Sequence, residues 1–499
     1  MSAQQPRRRR RRILLGAGVA LLLLAGAVAV FAVTRQGDVS NPDVEFRAEP
    51  TETTAPEVAP AEPGAPERAD PADRFVWAHY GYSRDRRRYL PASKSLRPPF
   101  YKTWQYQGNV LLEFSPVLGG PRLFLLDDDG VLRAIGKERG RVRWRRKLGY
   151  LAAASPAYAD GVVYVVILER GRSGRATREG RVVALDAESG RIKWSRVLPS
   201  RSESSPLIAN GRLYFGTENG TVYALRASDG AVRWTYRAGG AVKGGLALAD
   251  GKLYFGAYGG SAYALWAGSG RQAWRSGTSG TRLGLGSGNF YSTPAVAYGR
   301  VYLGNTDGKV YSFASRNGEL AWSRGTGGYV YASPAVAQVP GGKPTVYVGS
   351  YSGTFYALDA RSGAVRWSQG GNGRISGGAT VVGDIVYYAD LGRKKTIGLG
   401  ARTGRKVFEF ERGSYNPVVS DGRMLFLTGY HALYALRPLS QRARAERAEK
   451  AERAAKRRSA RRKVARRACL RRARRLHDGR ARVARSYARC VDRRDAARR

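Results

Sequence analysis

Few of the 499 residues have the type and spacing that catalysis or metal binding requires. The acidic run "DDDG", from Asp127 to Gly130, could offer carboxylate ligands to calcium. It aligns with "TENG", "NTDG" and "SYSG" in similar stretches, so we expect a hairpin turn there rather than a metal site. His431, in "GYHALYAL", is the only histidine between residues 101 and 438, and we expect it to be structural.

Other catalytic patterns are absent from the sequence. No nucleophile with a neighbouring base can be identified, and the 63 glycines are mostly explained by turns and strand starts rather than by a phosphate-binding loop. The two cysteines, Cys469 and Cys490, cannot form the CxxCH haem-attachment motif. We therefore predict no catalytic residue, no bound metal and no cofactor.

A repeated unit must position whatever site exists. "DARSGAVRW" at Asp359 to Trp367 nearly copies "DAESGRIKW" at Asp186 to Trp194. Its skeleton, a glycine followed four residues later by an aromatic residue, recurs every 40 to 50 residues. The pairs are Gly140/Trp144, Gly190/Trp194, Gly230/Trp234, Gly270/Trp274, Gly318/Trp322, Gly363/Trp367 and Gly404/Phe408.

The text between these pairs predicts four-stranded blades of a β-propeller. One unit contains four apolar or alternating runs, separated by the turn dipeptides Asn210-Gly211, Asn219-Gly220 and Asp229-Gly230. Third strands similar to "VYAL" occur eight times, and the last unit, ending near Arg437, lacks a fourth strand. The strand from Tyr101 to Trp104 can supply it, which predicts an all-β, eight-bladed ring over residues 101–438.

The unit "VYALDA-x-SG-x-x-x-W" resembles the pyrroloquinoline-quinone-type repeat over roughly residues 104–437. Quinoprotein dehydrogenases and the propeller lipoprotein of the outer-membrane barrel-assembly machinery share this repeat. The resemblance implies that Asp186 and Asp359 accept hydrogen bonds from their turns and that aromatic anchors pack between blades. These anchors are Trp104, Trp144, Trp194, Trp234, Trp274, Trp322, Trp367 and Phe408.

The resemblance leaves two functions open. A quinone-dependent dehydrogenase would have the family's adjacent cysteine pair, which this sequence lacks, so a non-catalytic binding propeller fits better. The barrel-assembly lipoprotein is acylated on a cysteine, and no cysteine lies near this N-terminus, so any membrane attachment differs. A quinoprotein-type oxidoreductase remains the alternative.

The N-terminal region predicts a membrane anchor. Residues 1–12 include six consecutive arginines, and residues 13–33 are uncharged and long enough to cross a bilayer as a helix. The arginines should stay cytoplasmic, which places the rest of the chain outside. A cleaved signal peptide, with "AVA" at Ala27 to Ala29, is the alternative. Residues 34–73, with ten acids from Gln36 to Asp73, predict a disordered stalk, and residues 74–100 a connecting segment.

The C-terminal tail, residues 439–499, is rich in alanine and arginine and predicts helices. Cys469 and Cys490 lie about equally far from Asp478-Gly479, so a helical hairpin would let them form a disulfide, whereas unpaired thiols on a disordered tail are the alternative. The net charge of this basic tail suits anionic wall polymers or lipid headgroups, as part of a chain with net charge +47.

Recognition is expected at a mouth of the propeller channel. Segments before the first strands carry candidate binding residues, listed as Lys243, Phe290, Tyr291, Tyr329, Tyr331, Tyr415 and Asn416. They could bind an envelope protein or a glycan, or the tyrosines could merely pack between blades. Nucleic acid is an improbable partner for a chain predicted to lie outside the cytoplasm. The sequence thus predicts a membrane-anchored, extracytoplasmic propeller that acts as a binding or scaffold module of the cell envelope.

Overall fold

The computed structural model describes residues 37–48, 74–92, 95–170, 176–278, 288–413, 415–416, 418–476, 483–484 and 486–491. Within these ranges no helix is both long and apolar enough to cross a membrane. The predicted transmembrane segment, residues 13–33, lies outside them. The chain divides into two compact units, Met1–Arg437 and Pro438–Arg499.

The first unit consists of eight small, mainly antiparallel sheets that follow one another along the chain. Four strands precede the blades: β1 (Val39–Ser40), β2 (Val76–Trp77), β3 (Tyr89–Leu90) and β4 (Phe100–Gln107). Blade 1 comprises β5 (Val117–Gly119), β6 (Arg122–Leu126), β7 (Val131–Gly136) and β8 (Val142–Lys147). Blade 2 comprises β9 (Ala157–Ala159), β10 (Val162–Arg170), β11 (Ala176–Asp186) and β12 (Ile192–Leu198). Blade 3 comprises β13 (Leu207–Ala209), β14 (Arg212–Gly216), β15 (Thr221–Arg226) and β16 (Val232–Arg237).

Blades 4 to 8 repeat this order of strands. Blade 4 comprises β17 (Ala247–Ala249), β18 (Lys252–Ala257), β19 (Ser261–Trp266) and β20 (Gln272–Gly277). Blade 5 comprises β21 (Ala295–Ala297), β22 (Arg300–Gly304), β23 (Lys309–Ala314) and β24 (Leu320–Gly325). Blade 6 comprises β25 (Ala335–Ala337), β26 (Thr345–Gly349), β27 (Phe355–Asp359) and β28 (Val365–Gln369). Blade 7 comprises β29 (Thr380–Val382), β30 (Ile385–Asp390), β31 (Lys395–Gly400) and β32 (Lys406–Phe410). Blade 8 comprises β33 (Val418–Ser420), β34 (Leu425–Thr428), β35 (Ala432–Pro438) and β4.

The ring closes by pairing the two ends of the propeller sequence. The N-terminal strand β4 lies beside β35 as the outer strand of blade 8, and Thr103 Oγ1 donates a hydrogen bond to the Ala435 carbonyl at 3.1 Å. This pairing leaves no blade incomplete. The prediction of an all-β, eight-bladed propeller, closed by the strand around Tyr101 to Trp104, is confirmed.

Blades contact one another through the repeated aromatic residue. The indole of Trp194 packs under Gly230 of the next blade, where an added Cβ would lie 2.7 Å from the ring, and Trp194 Nε1 donates to the Ala227 carbonyl at 2.9 Å. Six other tryptophans donate in the same way to a backbone carbonyl of the next blade. The pairs are Trp104 to Lys137, Trp144 to Ala187, Trp234 to Ala267, Trp274 to Ser315, Trp322 to Ala360 and Trp367 to Ala401. Phe408, which has no N–H group, instead contacts the rings of Phe100 and Tyr387.

The aspartates of the two best-preserved repeats lie in the turns before these aromatic residues. Asp186 Oδ1 accepts hydrogen bonds from the Ser189 N–H at 2.8 Å and from the Ser189 hydroxyl at 2.6 Å. Asp359 Oδ1 accepts from the N–H groups of Arg361 and Ser362, both at 2.9 Å. Each carboxylate therefore fixes the turn that presents its glycine to the preceding blade.

Residues 74–92, which we call the channel plug, line the inside of the ring. Strand β2 pairs with β5 of blade 1, and β3 pairs with β29 of blade 7. Between them, plug carbonyls accept hydrogen bonds of 2.8 to 2.9 Å from the inner strands of blades 2, 4, 5, 6 and 7 in turn. The donor N–H groups belong to Tyr158, Leu248, Val296, Val336 and Val381. The predicted connecting segment therefore satisfies inner-edge groups that the repeats leave unpaired.

Two buried arginines organise the plug, one by bonding to the blades and the other by contacts within the plug. The Arg86 guanidinium donates to the carbonyls of Leu246, Ser205 and Pro206 at 2.9 to 3.1 Å, and also to the Tyr80 carbonyl. Burial and the nearby Arg88 lower the pKa of Arg86 to about 9, so it remains charged at neutral pH. The Arg88 guanidinium lies 4.2 Å above the centre of the Tyr80 ring.

Residues 37–48, which we call the strap, differ from the predicted disordered stalk. Strand β1 pairs antiparallel with β24, the outer strand of blade 5. Arg300 donates to the carbonyls of Val44 and Glu45, and the Phe46 ring stacks on Tyr298 at 5.5 Å. The acidic composition of this segment did not indicate that its apolar side chains, Val44 and Phe46, pack against the propeller beside Arg300. The rest of the predicted stalk, apart from the strap, lies outside the described residues.

The second unit is helical. A 3₁₀ turn (Leu439–Gln441) leads into helix α1 (Arg442–Leu476), in which Ala465, Cys469 and Ala473 are buried on one face. The sulfur atoms of Cys469 and Cys490 are joined as a disulfide, with the two Cα atoms 5.7 Å apart. The predicted turn at residues 477–479 lies outside the described residues.

Candidate functional site

The residues that precede the inner strands converge around a cavity of about 50 Å³ in the channel, which we call the channel mouth. The plug reaches it from inside, because Tyr80 is part of its wall. The cavity is lined by residues of seven blades, including Glu113, Phe114, Glu203, Lys243, Tyr291, Tyr331, Ser376, Tyr415 and Asn416. The two ends of the plug accept hydrogen bonds from Gly120 and Gly383, which lie in the turns that follow the inner strands of blades 1 and 7. The channel mouth is lined by residues that precede the inner strands, so it lies at the opposite end of the channel.

One wall of the channel mouth is an ion-pair network. Lys243 Nζ lies 2.7 Å from Glu203 Oε1 and 3.0 Å from Glu218 Oε1, and it is 5.7 Å from the centre of the Tyr258 ring. The Tyr291 hydroxyl donates to Glu203 Oε2 at 3.1 Å, and burial followed by the Glu203 charge raises the pKa of Tyr291. These groups hold one another in fixed positions.

The other wall carries carboxyl groups that resist ionisation. Burial, with the charges of Asp128 and Glu203 nearby, raises the pKa of Glu113 to about 7. Burial also raises the pKa of Asp128 to about 6, although the Glu113 N–H bonds to it. Asn416 links this wall to the plug: it accepts from the Tyr80 hydroxyl at 3.1 Å and donates to the Glu113 carbonyl at 2.6 Å.

A group of tyrosines extends the mouth across blades 5 to 7. The Tyr331 ring lies 5.6 Å from Tyr291, 6.0 Å from Tyr329 and 4.9 Å from Tyr351. The Arg374 guanidinium lies 5.9 Å above the Tyr351 ring. We call the group formed by Tyr329, Tyr331, Tyr351 and Arg374 the tyrosine patch. The patch borders an open groove of about 680 Å³, and Tyr329 is 55% exposed.

The seven predicted binding residues do not all lie in the site. Lys243, Tyr291, Tyr331, Tyr415 and Asn416 line the cavity, and Tyr329 lies beside it in the tyrosine patch. Phe290 is fully buried and packs edge-on against Tyr311 and Phe313. Its side chain therefore belongs to the packing between blades and not to the site.

Several residues of the site were not predicted from the sequence. Glu113 in "EFSP" and Glu203 in "SESSP" occupy the same place, before an inner strand, as Tyr291 in "FYSTP" and Tyr331 in "VYASP". Aligning those short segments would have found both glutamates. Tyr80 gave no such signal, because the plug lies outside the repeats.

The groups considered for metal binding have other roles in the structure. Asp127 Oδ1 accepts from the Val131 N–H at 2.9 Å and its other oxygen pairs with Arg133, so it shapes a turn. His431 is exposed in a turn, with its ring 4.7 Å from that of Tyr430. Across the part of the chain that the structure describes, no cluster of three or more histidine, cysteine or acidic side chains could hold a metal ion.

Comparison with known proteins links this architecture to a family. The profile of a family described as outer membrane protein assembly factor BamB matches residues 94–205, 178–329 and 332–469. No curated protein is similar enough in sequence to count as a relative.

Solved structures share the fold at low sequence identity. BamB from Moraxella catarrhalis is 18% identical, with a TM-score of 0.54 over 68% of this chain and 99% of its own. A quinohemoprotein alcohol dehydrogenase, ADHIIG from Pseudomonas putida HK5, is 15% identical, with a TM-score of 0.59 over 73% and 81%. A europium-containing methanol dehydrogenase is 12% identical, with a TM-score of 0.61 over 73% and 98%. At such identities the similarity shows the propeller fold alone.

The channel mouth does not fit the quinone cofactor that the dehydrogenase resemblance would imply. Pockets for such ligands are generally ~300–1,000 Å³, whereas this cavity is about 50 Å³. The quinone carries carboxylates, and Glu203 on the cavity wall, together with the ionised fraction of Glu113, would repel them. The only cation in the lining, Lys243, is already paired with Glu203 and Glu218.

Proposed function

This chain belongs to the family described as outer membrane protein assembly factor BamB, and from that membership we propose that it is a non-catalytic scaffold that binds a protein of the cell envelope. The partner contacts the channel mouth and the adjoining tyrosine patch. Residues 13–33 anchor the protein in the membrane, with residues 1–12 cytoplasmic and the propeller outside.

The composition and exposure of the tyrosine patch carry this proposal. Tyrosine and arginine are enriched among the residues that dominate binding energy at protein interfaces. Tyr329, Tyr331, Tyr351 and Arg374 lie together beside an open groove. The groove is also lined by Gly327 and Gly328, which have no side chains to obstruct a partner.

The rigidity of the site also favours binding over catalysis. The rings of the patch contact one another, and Tyr331 also contacts Tyr291, whose hydroxyl is bonded to Glu203. Little side-chain freedom is therefore lost when a partner docks. A protein partner is favoured over a glycan because the patch continues into charged groups of both signs, which give orientation to a protein surface. The net charge of the C-terminal tail, residues 439–499, suits a second attachment to anionic wall polymers or lipid headgroups.

Site-specific photocrosslinking in the cells that make the protein tests the proposal. A photoreactive phenylalanine analogue at Tyr331 or Tyr351 should capture one envelope protein from the full-length chain. The same analogue at Val232, an exposed residue on the outer strand of blade 3, should not capture it. Equal capture from Val232, or none from the patch, would contradict the proposed interface.

A separate measurement addresses catalysis. The purified chain, supplied with pyrroloquinoline quinone and an artificial electron acceptor, should oxidise no alcohol above the rate without protein. Turnover that depends on both quinone and protein would show that the quinoprotein alternative is right and the scaffold proposal wrong.

A further inference from the structure

The outer strand of blade 1 carries an unusual density of positive charge. Four of its six residues are basic, in the sequence "VRWRRK", and all four are exposed. The other seven outer strands carry one or two basic residues each. Arg141, which is also exposed, directly precedes the strand.

These cations lack carboxylate partners. Across the described residues, no ion pair involves Arg141, Arg143 or Arg145. Within the described residues, Arg146 donates to the backbone carbonyls of Gly190 at 2.8 Å, Arg145 at 3.3 Å and Ser189 at 3.5 Å, and Lys147 donates to that of Asp129 at 2.7 Å. Their combined charge is therefore available to a partner.

The backbone of this strand is also available. Strand β8 is the last strand of its sheet, and among the described residues no strand pairs with its outer side. Charged residues on edge strands commonly prevent aggregation. That role does not explain the four basic residues of blade 1, because each of the other uncovered outer strands has only one or two basic residues.

The strap shows how such an edge accepts a strand in this propeller. On blade 5, β1 pairs antiparallel with β24, with Val39 opposite Ser323 and Ser40 opposite Trp322. The Asp38 carboxylate, one residue earlier, pairs with Arg324 and accepts the Gly325 N–H at 2.7 Å. An extended segment with an aspartate thus pairs with an outer strand that carries an arginine.

Blade 1 repeats the receiving half of this arrangement. Arg146 follows Trp144 by two residues, as Arg324 follows Trp322. Arg146 Nε donates to the Gly190 carbonyl at 2.8 Å, and Arg324 Nε donates to the Gly363 carbonyl at 2.9 Å, each in the next blade. The arginine that meets an aspartate on blade 5 therefore has the same support on blade 1.

We propose that the outer edge of blade 1 binds an acidic, extended segment of a partner protein, which adds as an antiparallel strand beside β8. Backbone hydrogen bonds supply pairing, and the partner's carboxylates contact Arg143, Arg145, Arg146 and Lys147. This surface is separate from the channel mouth, so the inference does not depend on the function proposed for the mouth.

A labelled peptide tests this docking surface. The probe is a fluorescein-labelled octapeptide in which aspartate alternates with valine, and its binding to the full-length chain is followed by fluorescence anisotropy. Replacing Arg143, Arg145 and Lys147 together by glutamine should weaken binding at least tenfold. The matched control, Arg233→Gln with Arg237→Gln on the outer strand of blade 3, should change binding less than twofold. All five side chains are exposed, so both variants should fold.

A second pair of probes separates strand addition from simple charge attraction. An octapeptide of the same charge with two valines replaced by proline cannot form a regular strand, and it should bind at least tenfold more weakly. Inorganic polyphosphate should not displace the original peptide at matched charge concentration. Equal binding by the proline peptide, displacement by polyphosphate, or an unaffected triple variant would each overturn the proposal.

Discussion

Glu113 and Asp128 occupy a part of the channel mouth that disfavours their ionised forms. Desolvation is the main cause of both raised pKa values, and the negative charges of nearby acidic residues raise each pKa further. A carboxyl group held there in its charged form destabilises the folded state relative to the unfolded chain. Such unfavourable placement is common where a surface is shaped for binding rather than for stability.

Stability should therefore fall as the pH rises through this region. Because the folded-state pKa of Glu113 is about 7, against 4.5 when unfolded, the folded protein retains a proton that the unfolded chain releases between these values. Glu113→Gln should remove this dependence and raise the free energy of unfolding at pH 8 by on the order of 1–2 kcal/mol, allowing for partial exposure. Urea unfolding from pH 4 to pH 8 measures it. Parallel pH profiles for the variant and the parent would contradict the assignment.

Each blade is joined to the next by an aromatic ring lying against a glycine with positive φ. Gly230, with φ of 72°, has no Cβ, and this lets the Trp194 ring approach and donate to the Ala227 carbonyl. The contact needs both the left-handed turn and the bare backbone. This explains why the glycine and the aromatic residue recur together at fixed spacing.

Alanine at Gly230 should destabilise the propeller more than alanine at Gly211. Both glycines have positive φ, 72° and 68°, so both variants bear left-handed strain of about 1–2 kcal/mol. At Gly211 nothing lies within 4 Å of the added Cβ, whereas at Gly230 the Trp194 ring is 2.7 Å away. Overpacking should add about 1–3 kcal/mol for Gly230→Ala alone. Comparable unfolding midpoints for the two variants in urea would show that this contact does not matter.

The sequence predicts those elements whose signals are local and repeated. Turn dipeptides, alternating strands and the Gly–Trp spacing identified the blades, and the unpaired last unit identified β4 as the closing strand. The plug and strap were missed because their partners lie far away in the chain: Arg86 bonds to carbonyls of blades 3 and 4, and Val44 to an arginine of blade 5. Composition described the strap as acidic and proline-containing but could not show the basic strand that it pairs with.

The candidate site was predictable in part for the same reason. Segments before the inner strands occur once in every blade, so their residues could be placed at one end of the channel. Whether a side chain points into the cavity, as Tyr291 does, or between blades, as Phe290 does, depends on packing that the spacing does not reveal.

The whole molecule combines two units with different sources of stability. The propeller has buried cores between its blades, whereas α1 is rich in arginine and buries few of the side chains that the structure describes. Both cysteines lie in the second unit, where their disulfide joins residues 21 apart in sequence. A cross-link over such a loop stabilises by about 3 kcal/mol.

Removing the disulfide should affect only the helical unit. Cys469→Ser with Cys490→Ser should lower the helical signal of the full-length chain in far-ultraviolet circular dichroism and should increase proteolysis after residue 438. The main calorimetric transition, which belongs to the propeller, should move by less than about 2 °C, since both cysteines lie in the other unit. A large fall in that transition would show that the two units are energetically coupled.

The strap limits how far the propeller can lie from the membrane. With residues 13–33 in the bilayer, as we propose, only residues 34–38 lie between the anchor and strand β1 on blade 5. An extended chain spans at most ~3.3–3.6 Å per residue, so this connection can reach no further than roughly 18 Å. Blade 5 would then stay close to the lipid surface, and in a ring of eight it stands diametrically opposite blade 1. The arginine-rich edge of blade 1 would therefore lie on the side of the ring farthest from the tether, where the lipid surface obstructs an approaching protein least.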